Sequence, residues 1–188
     1  MQNPGYRVRK TKKLLRDALM TLLAKKPLRS ISVKELCLLA GLNRGTFYAH
    51  YADVYDLMKQ IEDEMAADFR AAIRSSLSAE QLTPPKATKE VFKCIEANAD
   101  LCRVIIGPYG DREFAWNLIF EHKAAIIQSC RQYFPHADEQ QFNIYYTFIT
   151  GGCFALMERW LLGGMVESSE MLADAAEKIM ETGVGYLM

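Results

Sequence analysis

The most concentrated chemistry in this sequence lies between Asn43 and Tyr51, in the run NRGTFYAHY. Arg44, Thr46, Tyr48 and His50 offer hydrogen-bond donors and flat rings, and Gly45 omits a side chain so that another backbone can come close. These types do not make a nucleophile–base pair or a metal-ligand cluster. They are recognition groups: an arginine can read guanine O6 and N7, and hydroxyls and phenols can reach phosphate oxygens. Nothing elsewhere assembles a catalytic site. The three histidines, His50, His122 and His136, are far apart, and none has a metal-ligand neighbour at helical spacing. Glu121 and His122 are consecutive, so on a helix they point to different faces. There is no Gly-rich phosphate loop and no G-x-S-x-G. The expectation is no enzyme, no metal and no cofactor.

The elements that would hold these residues can be read on either side of them. Ser32, followed three residues later by Glu35, has the capping-box pattern. Leu36, Leu39 and Ala40 recur at helical spacing, which predicts a helix over 33–40 with an apolar face. Gly41 stands where a helix end needs positive φ. Asn43 is positioned to cap a second helix over 44–50, with Leu42, Phe47 and Tyr51 lying over the first. Two short helices and a tight turn form a helix-turn-helix, which places its second helix in the major groove with the N-terminal end leading. A plain helical hairpin with a polar face has the same spacing. On the DNA reading, the contact residues are Ser32, Lys34, Asn43, Arg44, Gly45, Thr46, Tyr48, His50 and Tyr51.

The run ISVKELCLLAGLNRGTFYAHYADVYDL resembles the DNA-binding segment of the TetR (tetracycline-repressor) family of bacterial transcription regulators. Ala40-Gly41-Leu42, Thr46-Phe47-Tyr48 and His50-Tyr51 fall where that family's pattern has equivalents, and the likeness covers residues 9–60 without a gap. It implies an all-helical dimer that binds DNA, and a long helix after the motif that links the two regions and transmits ligand binding. Repression relieved by a ligand is the commonest mode in that family. The chain departs at Val54, where many members carry a lysine on phosphate; Lys59 or Lys34 could compensate.

The net charge of zero hides an asymmetry. Residues 1–60 hold 12 Lys and Arg against 4 Asp and Glu, whereas residues 61–188 hold 11 against 19. A basic N-terminal third fits a polyanion footprint, although a solvated basic helix has the same composition. No apolar stretch approaches the ~18–20 residues that span a bilayer. The basic start MQNPGYRVRKTKK is not followed by a signal-peptide core. Five scattered cysteines without a C-x-x-C read as reduced residues of a cytoplasmic protein.

In chain order, residues 1–8 are expected as a loose arm, with Arg7, Arg9, Lys10, Lys12 and Lys13 along phosphates or simply solvated. A helix over 9–25 carries the stripe Leu14, Leu15, Ala18, Leu19, Leu22 and Leu23 and stops at Pro27. Asp53 caps a long helix over 54–77, and 75–85 is a linker. Further helices are expected at 85–98, 100–106, 112–133, 138–162 and 168–183. Asp138 with Gln141 forms another capping box. The fold class is all-α, with about nine helices: a three-helix helix-turn-helix DNA-binding domain in residues 1–60, then a ligand-binding and dimerisation bundle in residues 61–188.

Residues 142–162 are apolar on nearly every side, with Gly151 and Gly152 in the middle. A second copy could cover that surface, giving a homodimer through 138–162 and 168–183. An apolar or aromatic ligand could be lined by Phe92, Tyr109, Trp116, Phe120, His122, Tyr145, Phe148 and Phe154, though aromatics at helical spacing are also ordinary core. The expected function is a homodimeric repressor released from a palindromic double-stranded operator by a small molecule, with no membrane partner. The alternatives are an activator or co-activator of the same fold, or a ligand-binding or interaction protein that has lost DNA binding.

Overall fold

The computed structural model describes residues 4–77, 84–121, 123–131 and 134–183. Among these residues every regular element is helical, which makes the fold all-α. The helices are α1 Pro4–Leu23, α2 Val33–Ala40, α3 Arg44–Tyr48, α4 Val54–Leu77, α5 Pro84–Ala97, α6 Ala99–Ile106, α7 Arg112–Phe120, α8 Lys123–Arg131, α9 Glu139–Leu162 and α10 Ser169–Gly183, with a 3-10 turn at Leu28–Ser30. Two of the expected helix boundaries fail. The arm predicted for residues 1–8 is already helical from Pro4, because proline suits the first helical turn, where its missing N–H is not needed, and from Tyr6 onward no glycine or proline interrupts the helix. The single helix predicted over 112–133 is two helices, α7 and α8, with a turn at Glu121. Of the expected linker at 75–85, residues 78–83 lie outside the described residues.

The chain divides into two compact units. The first runs through Met65 and includes Val104–Arg112; the second takes Ala66–Arg103 and Glu113 onward. In the first unit, Leu15, Ala18, Leu19, Leu22 and Leu23 of α1 are buried along with Leu36, Cys37 and Ala40 of α2 and Phe47 of α3. Val54, Leu57, Met58, Ile61 and Met65 extend this core along α4 at helical spacing. Leu14 and Leu39, both expected in the core, are exposed. Leu39 lies roughly 100° from the centre of the arc set by Leu36, Ala40 and Cys37, since successive residues turn ~100°.

Helix ends in this unit are fixed locally. The Asp53 carboxylate accepts from the Tyr55 and Asp56 amides, both at 2.8 Å, and Asp56 accepts from the Ala52 amide at 2.9 Å. This last bond is the main reason the Asp56 carboxyl titrates below its ordinary value. At the Val104–Arg112 segment, a Cβ on Gly110 would run into the carbonyl oxygens of Val104 and Ile105.

In the second unit α5 packs along α10, and α9 meets α8 and α10. Ala173 and Ala176 on the buried side of α10 leave room for the close approach of α5. Phe92 and Trp160, both fully buried, pack with tilted rings 5.9 Å apart. The Trp160 indole N–H donates to the Glu167 carbonyl at 2.8 Å, and Arg103 Nε donates to the Leu161 carbonyl at 3.0 Å, satisfying an end group of α9. The predicted capping box on α9 is complete: Asp138 accepts from the Gln141 amide, and the Gln141 side chain accepts from the Asp138 amide.

Candidate nucleic-acid interface

The surface around α3 is built from three helix ends. Ser32 Oγ accepts from the Glu35 amide at 3.2 Å and starts α2. The Glu35 carboxylate does not complete the expected box: it takes Lys26 Nζ at 2.6 Å. At the other end Gly41 sits at φ +66°, and the amides of Gly41 and Leu42 bond the carbonyls of Leu38 and Cys37, a Schellman end. Two residues on, Asn43 Oδ1 accepts from the Thr46 amide at 2.7 Å and from the Thr46 hydroxyl at 3.0 Å. The side chain that caps α3 therefore also occupies the Thr46 hydroxyl proton, so that hydroxyl faces a ligand as an acceptor. The α-helix closes at Tyr48 rather than 50, but the amides of Ala49, His50 and Tyr51 still bond back to Gly45 and Phe47.

Most of the residues expected on DNA reach the solvent. Ser32, Lys34, Asn43, Arg44, Gly45 and Tyr48 are exposed, and Thr46 and His50 are half-buried. Apart from the Asn43 carboxamide oxygen at 3.3 Å, a Cβ on Gly45 would meet nothing within 4 Å, so this glycine opens outward. Tyr51 departs from the list. It is 5% exposed, and its ring lies 5.7 Å from that of Phe47 and 6.3 Å from that of His50. Its place is underneath the surface. Burial, with Glu64 and Asp56 facing it, pushes its phenol above the ordinary value.

Val54 is buried on α4, and the next residue, Tyr55, is exposed. The spacing Val54, Leu57, Met58, Ile61 already places Val54 on the core side and turns Tyr55 outward, a signal the sequence reading missed.

The residues named for a ligand pocket separate. Trp116, Phe120 and Phe154 come together, with Trp116 4.6 Å from Phe120 and 5.1 Å from Phe154. Tyr146, one of the aromatics of residues 92–160, joins them at 5.8 Å from Phe120 and carries Lys123 over its ring. It belongs to the buried series Phe142, Tyr146, Thr150, Phe154 along α9. Phe92 is spent in the core against Trp160. Tyr145 packs on Phe142 and donates to the Met180 carbonyl at 2.9 Å. Phe148 is 74% exposed on the outer side of α9, along a groove lined by Glu139, Gln140, Asn143, Ile144 and Thr147. Tyr109 is exposed in the Val104–Arg112 segment of the other unit. His122 lies outside the described residues.

Among the described residues no group of His, Cys, Asp and Glu could hold a metal ion, and no helix is long and apolar enough to cross a membrane.

This arrangement, a capped helix-turn-helix of small helices and a separate helical bundle, is that of a helical transcription regulator. Solved structures share the fold over nearly the full chain. The fatty acid degradation regulator FadR from Bacillus halodurans matches with a TM-score of 0.68 and 15% identity, covering 96% of each chain. The dihydroxyacetone kinase operon activator DhaS matches at 0.64 and 15%, covering 93% of this chain and 96% of the other. A TetR/AcrR-family transcriptional regulator from Aquifex aeolicus VF5 matches at 0.67 and 14%, covering 92% and 98%. No curated protein matches the sequence significantly. The family model TetR_C_8, the C-terminal region of transcriptional regulators, matches residues 83–182, more than half of the chain. The chain belongs to the TetR family; it is a transcriptional regulator and not an enzyme.

Proposed function

We propose that the protein is a cytoplasmic homodimeric repressor that binds a palindromic operator through residues 1–60 and is released by a small molecule bound within residues 61–188. The observation that carries the DNA part is the surface of α3. Arg44 and Tyr48 stand exposed on a helix whose underside, Phe47, is fully buried and whose start is capped by Asn43. A helix held this way presents its outer side without rearrangement. Arg44 at its N-terminal end is the base reader; Ser32, Lys34, Tyr48 and His50 position the helix on phosphates. One helix this short reads few bases, so two copies held about 34–36 Å apart would supply selectivity.

The dimer part rests on α9 and α10. Ile144 and Phe148 on α9, and Met171 and Ile179 on α10, are exposed. A Cβ on Gly151 or Gly152 meets nothing within 4 Å in the single chain. These faces fit a four-helix pairing with a second copy. For the effector, the cluster Trp116, Phe120, Tyr146 and Phe154 favours an apolar or aromatic molecule. A ligand that prefers one spacing of the two DNA-binding ends shifts the population toward it and changes operator affinity.

Duplexes enriched from a random pool on the wild-type protein provide the test. Specific binding should fall steeply with salt, and Arg44→Ala should cost ~1–3 kcal/mol and relax preference at one position. Equal loss on enriched and random duplex would make Arg44 a phosphate contact. No salt-dependent binding would leave a ligand-binding protein that has lost DNA. Reporter output on deletion of the gene sets the direction, rising for a repressor and falling for an activator.

A further inference from the structure

The basic residues of α1 do not form one group. Arg7, Arg9, Lys10 and Lys13 are exposed, but Lys12 is half-buried, with Nζ 5.8 Å from the centre of the Tyr51 ring. That is within the range in which an ammonium is attracted to an aromatic face. Four residues on, and so on the same side of the helix, Arg16 reaches Glu64 of α4 at 3.6 Å. Lys12 thus meets the ring that precedes the passage from α3 into α4, while Arg16 meets α4 further along. Tyr51 is a buried ring, tilted against Phe47 and edge-on to His50. α3 has five residues, too few to hold a helix on its own, so the aim of its outer surface depends on the rings beneath it.

We propose that Lys12 is a positioning residue for α3: its ammonium clamps the Tyr51 ring from the α1 side and thereby fixes how Arg44 and Tyr48 are presented to DNA. This rests on the reading of α3 as the DNA-contacting helix. It assigns Lys12 a different role from its exposed neighbours, whose ammonium and guanidinium groups face outward toward phosphates or solvent. A lysine on phosphate contributes to all DNA alike, whereas a lysine acting through Tyr51 contributes only where the helix must be aimed.

The test compares Lys12→Met with wild type in the full-length protein, on duplex enriched from a random pool and on unselected duplex, each titrated with salt. Lys12→Met keeps most of the stem and removes the charge. The expected result is a loss of about tenfold on the enriched duplex, little loss on unselected duplex, and an unchanged salt slope. The loss should largely vanish when Lys12→Met is added to Tyr51→Leu, since the ring it acts through is gone. Equal losses on both duplexes, with a slope smaller by about one, would make Lys12 a phosphate contact and overturn the proposal. So would no loss at all, or a full further loss in the Tyr51→Leu background. A wild-type protein that enriches no duplex would overturn the DNA reading itself and this inference with it.

Discussion

Asn43 and Thr46 illustrate how single side chains divide their bonds at this surface. Asn43 Oδ1 takes both the amide and the hydroxyl of Thr46, at 2.7 and 3.0 Å, so the residue type that suits a helix cap also decides which polarity its neighbour shows to a ligand. Glu62 makes a different kind of statement. It is half-buried near Asp111 and Asp63, and burial first, then those two carboxylates, raise its pKa to about 7. Its carboxyl takes up a proton more readily folded than unfolded, against an ordinary value of 4.5. The stabilisation that goes with protonation is therefore complete below pH 4.5 and is lost as pH rises through about 7. Glu62→Gln removes the charge that becomes costly. It should stabilise the fold at about pH 8 by on the order of 1 kcal/mol, discounted for the exposed half of the group, and be near neutral at about pH 4. Denaturant melts at the two pH values check this, and a gain of the same size at both would refute the assignment.

At the scale of elements, what the sequence made legible is what local chemistry decides. The capping box of Asp138 and Gln141 forms as its spacing requires, and Asp53 starts a helix that runs over 54–77 as read. Gly41 ends α2 at φ +66°. What could not be read depends on residues outside the local run. Glu35 has the partner spacing of a box with Ser32, yet Lys26 takes its carboxylate. Nothing in REFAWNLIFEHKAAIIQSCR breaks a helix, yet α7 stops at Phe120, beside Glu121, whose carboxylate is held by two nitrogens of Arg70 from 51 residues away. Of the candidate site, the outward set on α3 followed from period and caps, whereas Tyr51 was miscast because a tyrosine that names a contact can equally fill a core. Two glycines test the local logic. Gly41→Ala keeps open space around its Cβ but strains the left-handed backbone, and should cost about 1–2 kcal/mol. Gly110→Ala has an ordinary backbone but drives a methyl into two carbonyl oxygens, and should cost about 1–3 kcal/mol or more. Thermal melts of the two variants give the comparison, and a Gly110→Ala melt matching wild type would contradict the geometry.

At the scale of the molecule, the question is what covers α9. Its inner side is filled by Phe142, Tyr146, Phe154, Met157 and Trp160, while Ile144 and Phe148 lie outside, with Phe148 74% exposed. A carboxylate in place of an exposed phenylalanine costs a lone chain little, because nothing packed is lost. In a dimer closed through α9 and α10, the same change buries a charge at the centre of the contact, where aromatic anchors carry ≥2 kcal/mol. Phe148→Asp should therefore leave the thermal melt of a dilute monomer unchanged and weaken self-association by at least about thirtyfold. Sedimentation over a concentration series reads the association directly. The consequence for DNA follows from geometry: binding to a two-half-site duplex should collapse toward that of a single half-site, since the second reading head is no longer held at its spacing. If Phe148→Asp stayed dimeric and kept its preference for the full palindrome, the two-fold contact would have to lie on another face, and the exposed side of α9 would need a different occupant.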